Sequence, residues 1–137
     1  MTKTFSATFP NFSESEFKCP CGCGGKEVNG ALLYILQYLR NKHGAVVVSK
    51  GGGYRCKKYN SGLVGSIENS DHTRGKAADF KIAGYGSLAA RKLIMEEMRV
   101  MPGFSYAYCD GVIMYANGTT KAYPASWMGQ AIHVSVK

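Results

Sequence analysis

Ser70-Asp71-His72-Thr73-Arg74-Gly75-Lys76-Ala77-Ala78-Asp79-Phe80 is the stretch from which the rest of the chain is best read. It predicts a loop carrying a histidine, followed by a strand over Ala77–Ile82 carrying an aspartate seven positions later. Gly75 and the small Ala77 and Ala78 let the chain turn closely between the two. Imidazole nitrogen and carboxylate oxygen are both good zinc ligands, at about 2.0–2.2 Å. Alone, such a pair means little. The last predicted strand, Ala131–Val136, adds a third donor. Side chains alternate faces along a strand, so Ile132, Val134 and Val136 point one way and His133 and Ser135 the other. Two histidines and one aspartate leave the fourth position of a tetrahedral zinc open, the mark of a catalytic rather than a structural site.

Outward from this stretch, the elements follow from periodicity and breakers. Ser13 and Glu16 form the ends of a capping box that starts only a short helical turn, because Pro20 and several glycines follow. Asn29–His43 is the clearest helix, with Leu32, Leu33, Ile35, Leu36 and Leu39 at helical spacing and Gly44 as its stop. His43 favours the helix C-terminus and carries no catalytic role. Ala45–Ser49 reads as a strand, which Gly51-Gly52-Gly53 ends. Cys56–Val64 reads as a short helix. Ser87–Val100 reads as a second long helix, with Leu88, Leu93, Ile94 and Met98 on its buried stripe. Tyr106–Cys109 and Val112–Tyr115 are strands, with turns at Asp110-Gly111 and Asn117-Gly118. This order predicts an α+β fold, a small, mainly antiparallel sheet with helices packed on one side.

The chain has 137 residues, enough for one domain with its own core and no need of disulfides; residues 1–12 are expected to be irregular. No run reaches the roughly 18 apolar residues of a membrane span, and no secretory signal is read at the N-terminus. The net charge is +8, which suits an anionic partner such as a bacterial wall. The lysines and arginines are scattered without a block of five, so a nucleic-acid arm is not expected. A monomer is expected. The five cysteines are an odd number, which argues against a complete disulfide framework. Cys19, Cys21 and Cys23 are closely spaced, and three states stay open for them and for Cys56 and Cys109: a structural metal, one disulfide, or reduced thiols.

Gly53-Tyr54-Arg55-Cys56 with Tyr59-Asn60, then Ser70-x-His72-x-x-Gly75-x-Ala77-x-Asp79, then a late strand histidine, resembles the M15 group of zinc D-Ala-D-Ala carboxypeptidases and phage endolysin peptidases. The resemblance runs over about residues 12–136 and implies a fold shared with the signalling domain of hedgehog proteins. It implies that His72, Asp79 and His133 bind Zn²⁺. It also implies that Arg55 holds the C-terminal carboxylate of a peptide, for which a guanidinium offers paired charge-assisted hydrogen bonds. Ser70 is expected to order the His72 loop on the substrate side, and Trp127 to wall the groove. The implied activity is hydrolysis of peptidoglycan stem peptides, acting at the bacterial cell wall.

The chain departs from the family where a carboxylate usually moves the proton. Three residues before the last histidine stands Gln130, two after it Ser135, and six before it Trp127. Glu68 and Asp110 can replace the missing acid only if the fold brings one of them to the metal. Otherwise Gln130 or a tyrosine assists, or the site binds zinc and peptide with little turnover. The alternative function is therefore a non-catalytic, zinc-containing wall-binding or hedgehog-like interaction module.

Overall fold

The computed structural model describes residues 9–63, 70–124 and 130–137. Among these residues, six strands form one antiparallel sheet: β1 (Val46–Val48), β2 (Ala77–Ile82), β3 (Phe104–Cys109), β4 (Val112–Tyr115), β5 (Thr120–Ala122) and β6 (Ile132–Val136). Their order across the sheet is β1-β2-β6-β3-β4-β5. The last strand therefore inserts between β2 and β3. Among the described residues, three α-helices accompany the sheet: α1 (Gly30–His43), α2 (Lys57–Ser61) and α3 (Leu88–Met98). The α+β layout expected from the sequence is the one observed.

The register fixes which residues share a face. Ala78 pairs with Val134, and Val134 with Ala107. These join Phe80, Ile132 and Met114 in one buried cluster with Leu32, Leu33, Ile35, Leu36 and Leu39 of α1 and Ile94, Met95 and Met98 of α3. Burying each large side chain contributes about 1.5–3 kcal/mol, so this cluster anchors the sheet and leaves its other face to chemistry. Along the next register position run Asp79, His133 and Tyr108.

Several boundaries differ from the sequence reading. α2 ends at Ser61 with Gly62 as its cap, and the remainder of the expected helix runs into residues outside the described set. β3 begins at Phe104, two residues early, with a bulge between Phe104 and Tyr106. β5 is an additional edge strand whose three residues are all exposed, so it carries no apolar alternation to betray it.

The stripe of α3 is corrected. Leu88 and Leu93 are exposed, and Arg91, Ile94, Met95 and Met98 are buried. Arg91 takes an inner position because Asp110 neutralises it at 2.8 Å from Nε, while its Nη1 donates to the carbonyl of Gly86 at 2.7 Å. His43 joins α1 to the neighbouring elements, with Nδ1 2.6 Å from the Tyr85 hydroxyl and Nε2 3.0 Å from Glu97.

Candidate metal centre

His72 enters from a single 3-10 turn, Asp71–Arg74, immediately before β2. The Ser70 hydroxyl accepts the His72 N–H at 3.3 Å and caps the turn. Gly75 closes it at φ 69°, where a Cβ would also lie 2.8 Å from the Glu27 carbonyl oxygen. Only glycine meets both conditions. The Gly51–Gly53 stretch is more than a break after β1. The Gly52 carbonyl accepts the Asp79 N–H at 2.8 Å, and the Gly53 carbonyl faces His72 Nδ1 at 2.9 Å. A Cβ on Gly53 would approach the Phe17 backbone to 2.6 Å, so the loop presses against the chain on both sides.

The three donors converge. A ligand atom from each of His72, Asp79 and His133 lies within 4.8 Å of the other two. His72 Nε2 is 3.4 Å from Asp79 Oδ2, and His133 Nδ1 is 2.8 Å from Asp79 Oδ1. Ligands at about 2.0–2.2 Å around a tetrahedral ion stand about 3.3–3.6 Å apart. The first separation already fits, and the second fits after opening by about half an ångström.

The outer nitrogens are also held. His72 Nδ1 must donate to the Gly53 carbonyl, which leaves the Nε2 lone pair facing Asp79. His133 Nε2 lies 2.8 Å from the Ser135 hydroxyl, a partner able to donate or accept. Such outer contacts fix the tautomer and ring orientation of metal-binding histidines.

The electrostatics suit a cation. Burial works against a charged Asp79, but His133 and His72 beside it outweigh that cost and hold the carboxyl well below the usual carboxylate range. Burial pushes His133 below the ordinary histidine value, against the upward pull of Asp79. A neutral imidazole beside an ionised carboxylate is the protonation state that metal binding requires.

The sequence profile of the Peptidase M15 family matches residues 10–109. The chain belongs to this family. No curated protein and no solved structure matches it. The M15 match covers His72 and Asp79 but ends before His133, so the third donor of this M15 chain reaches the group through the β2–β6 pairing. Membership makes the chain a metal-dependent peptidase with a peptide substrate. No helix among the described residues is long and apolar enough to cross a membrane.

The other expected residues of the M15 site are distributed unevenly. Arg55 stands at the group: Nη2 lies 3.3 Å from Asp79 Oδ2, and Nε donates to the Gly51 carbonyl at 2.7 Å. Ser70 is buried, its hydroxyl turned to the His72 backbone rather than to a groove. Gln130 is exposed two residues before β6. Asp110 is bound by both Nε and Nη2 of Arg91 at the β3–β4 turn. Glu68 and Trp127 lie outside the described residues.

Two tyrosines on β3 join the site without a motif to announce them. Tyr108 stacks on His133, with ring centroids 4.2 Å apart and planes 6° from parallel. Burial and the Asp79 charge push its phenol upward, so it stays a neutral hydroxyl. Tyr106 stacks beside Tyr108 and points its hydroxyl at Asp71, 3.4 Å away. Burial opposes the charge of Asp71, but Arg74 and Ser135 hold its carboxyl below the ordinary range. Asp71 is thus tied to the β3 tyrosines through the Tyr106 hydroxyl, and Ser135 to His133 Nε2. The signal available in sequence was the alternation of Tyr106 and Tyr108 on one strand face.

Proposed function

We propose that the chain is a zinc-dependent D-Ala-D-Ala carboxypeptidase-like enzyme acting on peptidoglycan stem peptides, with His72, Asp79 and His133 as the zinc ligands. The observation that carries this reading is the contact between Arg55 and Asp79, 3.3 Å. Three protein donors of nitrogen and oxygen type suit zinc and leave a position for water. Bound there, the ion would polarise the scissile carbonyl and acidify a water.

Arg55 determines where the chain end lies. Its fork has five N–H donors, and contacts to Gly51, Asn60 and Asp79 occupy three of them. The remainder suit a terminal carboxylate. A peptide residue spans only about 3.3–3.6 Å. A carboxylate held beside Arg55 therefore leaves room for about one residue before the His72–Asp79–His133 group. Release of a single C-terminal residue follows, which is exopeptidase action.

Tyr108, whose ring stacks on His133, is assigned the role of a neutral hydrogen-bond donor toward the reacting group. Ser135 holds His133 Nε2 and acts as a positioning residue. Gln130, exposed two residues before β6, can offer hydrogen bonds but cannot carry a proton at neutral pH. The alternative reading, a zinc-bearing module that binds wall peptide without cleaving it, draws on the exposed Gln130 at the usual acid position.

The test is to incubate the zinc-loaded chain with a wall pentapeptide ending in D-Ala-D-Ala and measure released D-alanine. Release that His133→Ala abolishes supports the carboxypeptidase. Peptide binding without release establishes the binding module instead.

A further inference from the structure

The short cysteine run and the lone Cys56 lie far apart in sequence, yet their sulfur atoms meet. Cys19 Sγ is 3.4 Å from Cys21 Sγ and 3.7 Å from Cys56 Sγ, and Cys21 Sγ is 3.5 Å from Cys56 Sγ. Cys23 completes the group, with all four sulfurs within 4.8 Å of one another. All four are free thiols. Sulfur ligands at about 2.3 Å around a tetrahedral zinc stand about 3.8 Å apart. The observed separations are close to that spacing on several edges of the tetrahedron at once.

The surroundings are those of thiolates rather than of four chance thiols. Three backbone N–H groups point at sulfur: Cys56 to Cys19, Gly25 to Cys23 and Tyr59 to Cys56, each at 3.4 Å. Such donors stabilise the charge of metal-bound sulfur. The loop is bent to bring the run together, with Gly22 and Gly24 both at φ 85° and the Cys19 N–H donating to the Gly25 carbonyl at 2.8 Å. Lys18, Lys26, Lys57 and Lys58 bracket the cysteines in sequence and offset the net negative charge that four thiolates leave on a divalent ion.

We propose that Cys19, Cys21, Cys23 and Cys56 form a second, structural metal site of the closed four-thiolate type, taking zinc or another thiophilic divalent ion. Four sulfur–metal bonds form as the thiols release four protons, with no change of oxidation state. All four positions are filled by protein, so no site for water or substrate remains. The metal fastens the 19–25 loop to the segment that carries Gly53, Arg55 and Cys56. That segment supplies the Gly53 carbonyl to His72 and the Arg55 guanidinium to the first site. The second metal is thus a brace for the substrate anchor, independent of whether the first site cleaves wall peptides.

The unmodified full-length chain decides the matter. Purified under reducing conditions, it is analysed for zinc per chain and then reconstituted with cobalt(II). Two equivalents of zinc, with thiolate-to-cobalt charge-transfer absorption in the near ultraviolet, are expected. The His72–Asp79–His133 group contains no sulfur, so that absorption reports on the cysteines alone. Cys23→Ser is expected to bind one equivalent and lose most of the absorption, while His133→Ala also binds one and keeps it. Absence of the charge-transfer absorption from the unmodified chain, whatever its zinc content, overturns the proposal, whereas one equivalent with that absorption places the metal on the cysteines and counts against the first site instead. A mass lower by two hydrogens for each cysteine pair, showing disulfides in the chain as isolated, overturns it equally.

Discussion

The two clusters of side chains able to hold a metal ion are built in opposite ways. His72, Asp79 and His133 rest on a sheet: two are directly paired across β2 and β6, and the third is one capped turn away. Cys19, Cys21, Cys23 and Cys56 rest on loops, and bent glycines bring the run together. The sheet face is held by a packed core behind it, so it can present three donors and leave one side open. The loops have no such backing, and a closed set of four ligands would supply rigidity rather than use it. An open centre thus depends on its scaffold, whereas the proposed closed one is part of the scaffold.

Breaking the open centre produces the largest expected change. His133→Ala removes one donor and the several kcal/mol of charge stabilisation that a bound metal supplies. Peptidase activity falls by at least about 10³-fold at about tenfold per 1.36 kcal/mol, read as product release at saturating metal. The cysteine site keeps its metal in that variant.

Breaking the closed site has its main effect on stability. Cys56→Ser is expected to lower the thermal midpoint by about 10 °C, the loss of about 3 kcal/mol of metal-linked stability. The shift is measured against the unmodified chain with and without chelator, and chelator sensitivity of the remaining transition is expected to fall.

Three milder changes refine the contrast within the sheet site. Ser135→Ala removes the partner of His133 Nε2 and is expected to weaken metal binding there about 10–100-fold, measured by competition with a chromogenic chelator. Arg55→Lys keeps the charge but loses the fork, and is expected to raise KM about tenfold for peptides with a free C-terminus, with kcat changed less. Steady-state kinetics on free and amidated peptides check this, since an amidated end does not need the fork. Tyr108→Phe is the smallest change: the ring still stacks on His133, and a loss of only about three- to tenfold in kcat, from one neutral hydrogen bond, is expected.

Much of the fold was legible because its signals are local. The apolar spacing of Leu32, Leu33, Ile35, Leu36 and Leu39 predicted a helix, and all five are buried. The α3 stripe was misread because Arg91 looks polar in sequence; Asp110 and the Gly86 carbonyl, which make its burial tolerable, come from elsewhere. β5 escaped notice because an exposed edge strand needs no apolar face. At the site, His72, Asp79, His133 and Arg55 stood out by residue type and spacing. Tyr108 did not, since only the register of β3 against β6 places its ring on His133.

The sequence by itself determined the stock of donors: two histidines and an aspartate in strand or loop settings, a motif arginine, and a tight cysteine run. Donor chemistry belongs to the residue, so it can be read one position at a time. Only the tertiary structure decided which donors meet. His133 lies 54 residues from Asp79 and Cys56 lies 37 from Cys19, and no local signal spans those gaps. Strand pairing closes the first distance, and the packing of the Gly53 loop on Phe17 helps close the second. These are contacts between segments, whose energy comes from burying surfaces that the sequence alone does not pair.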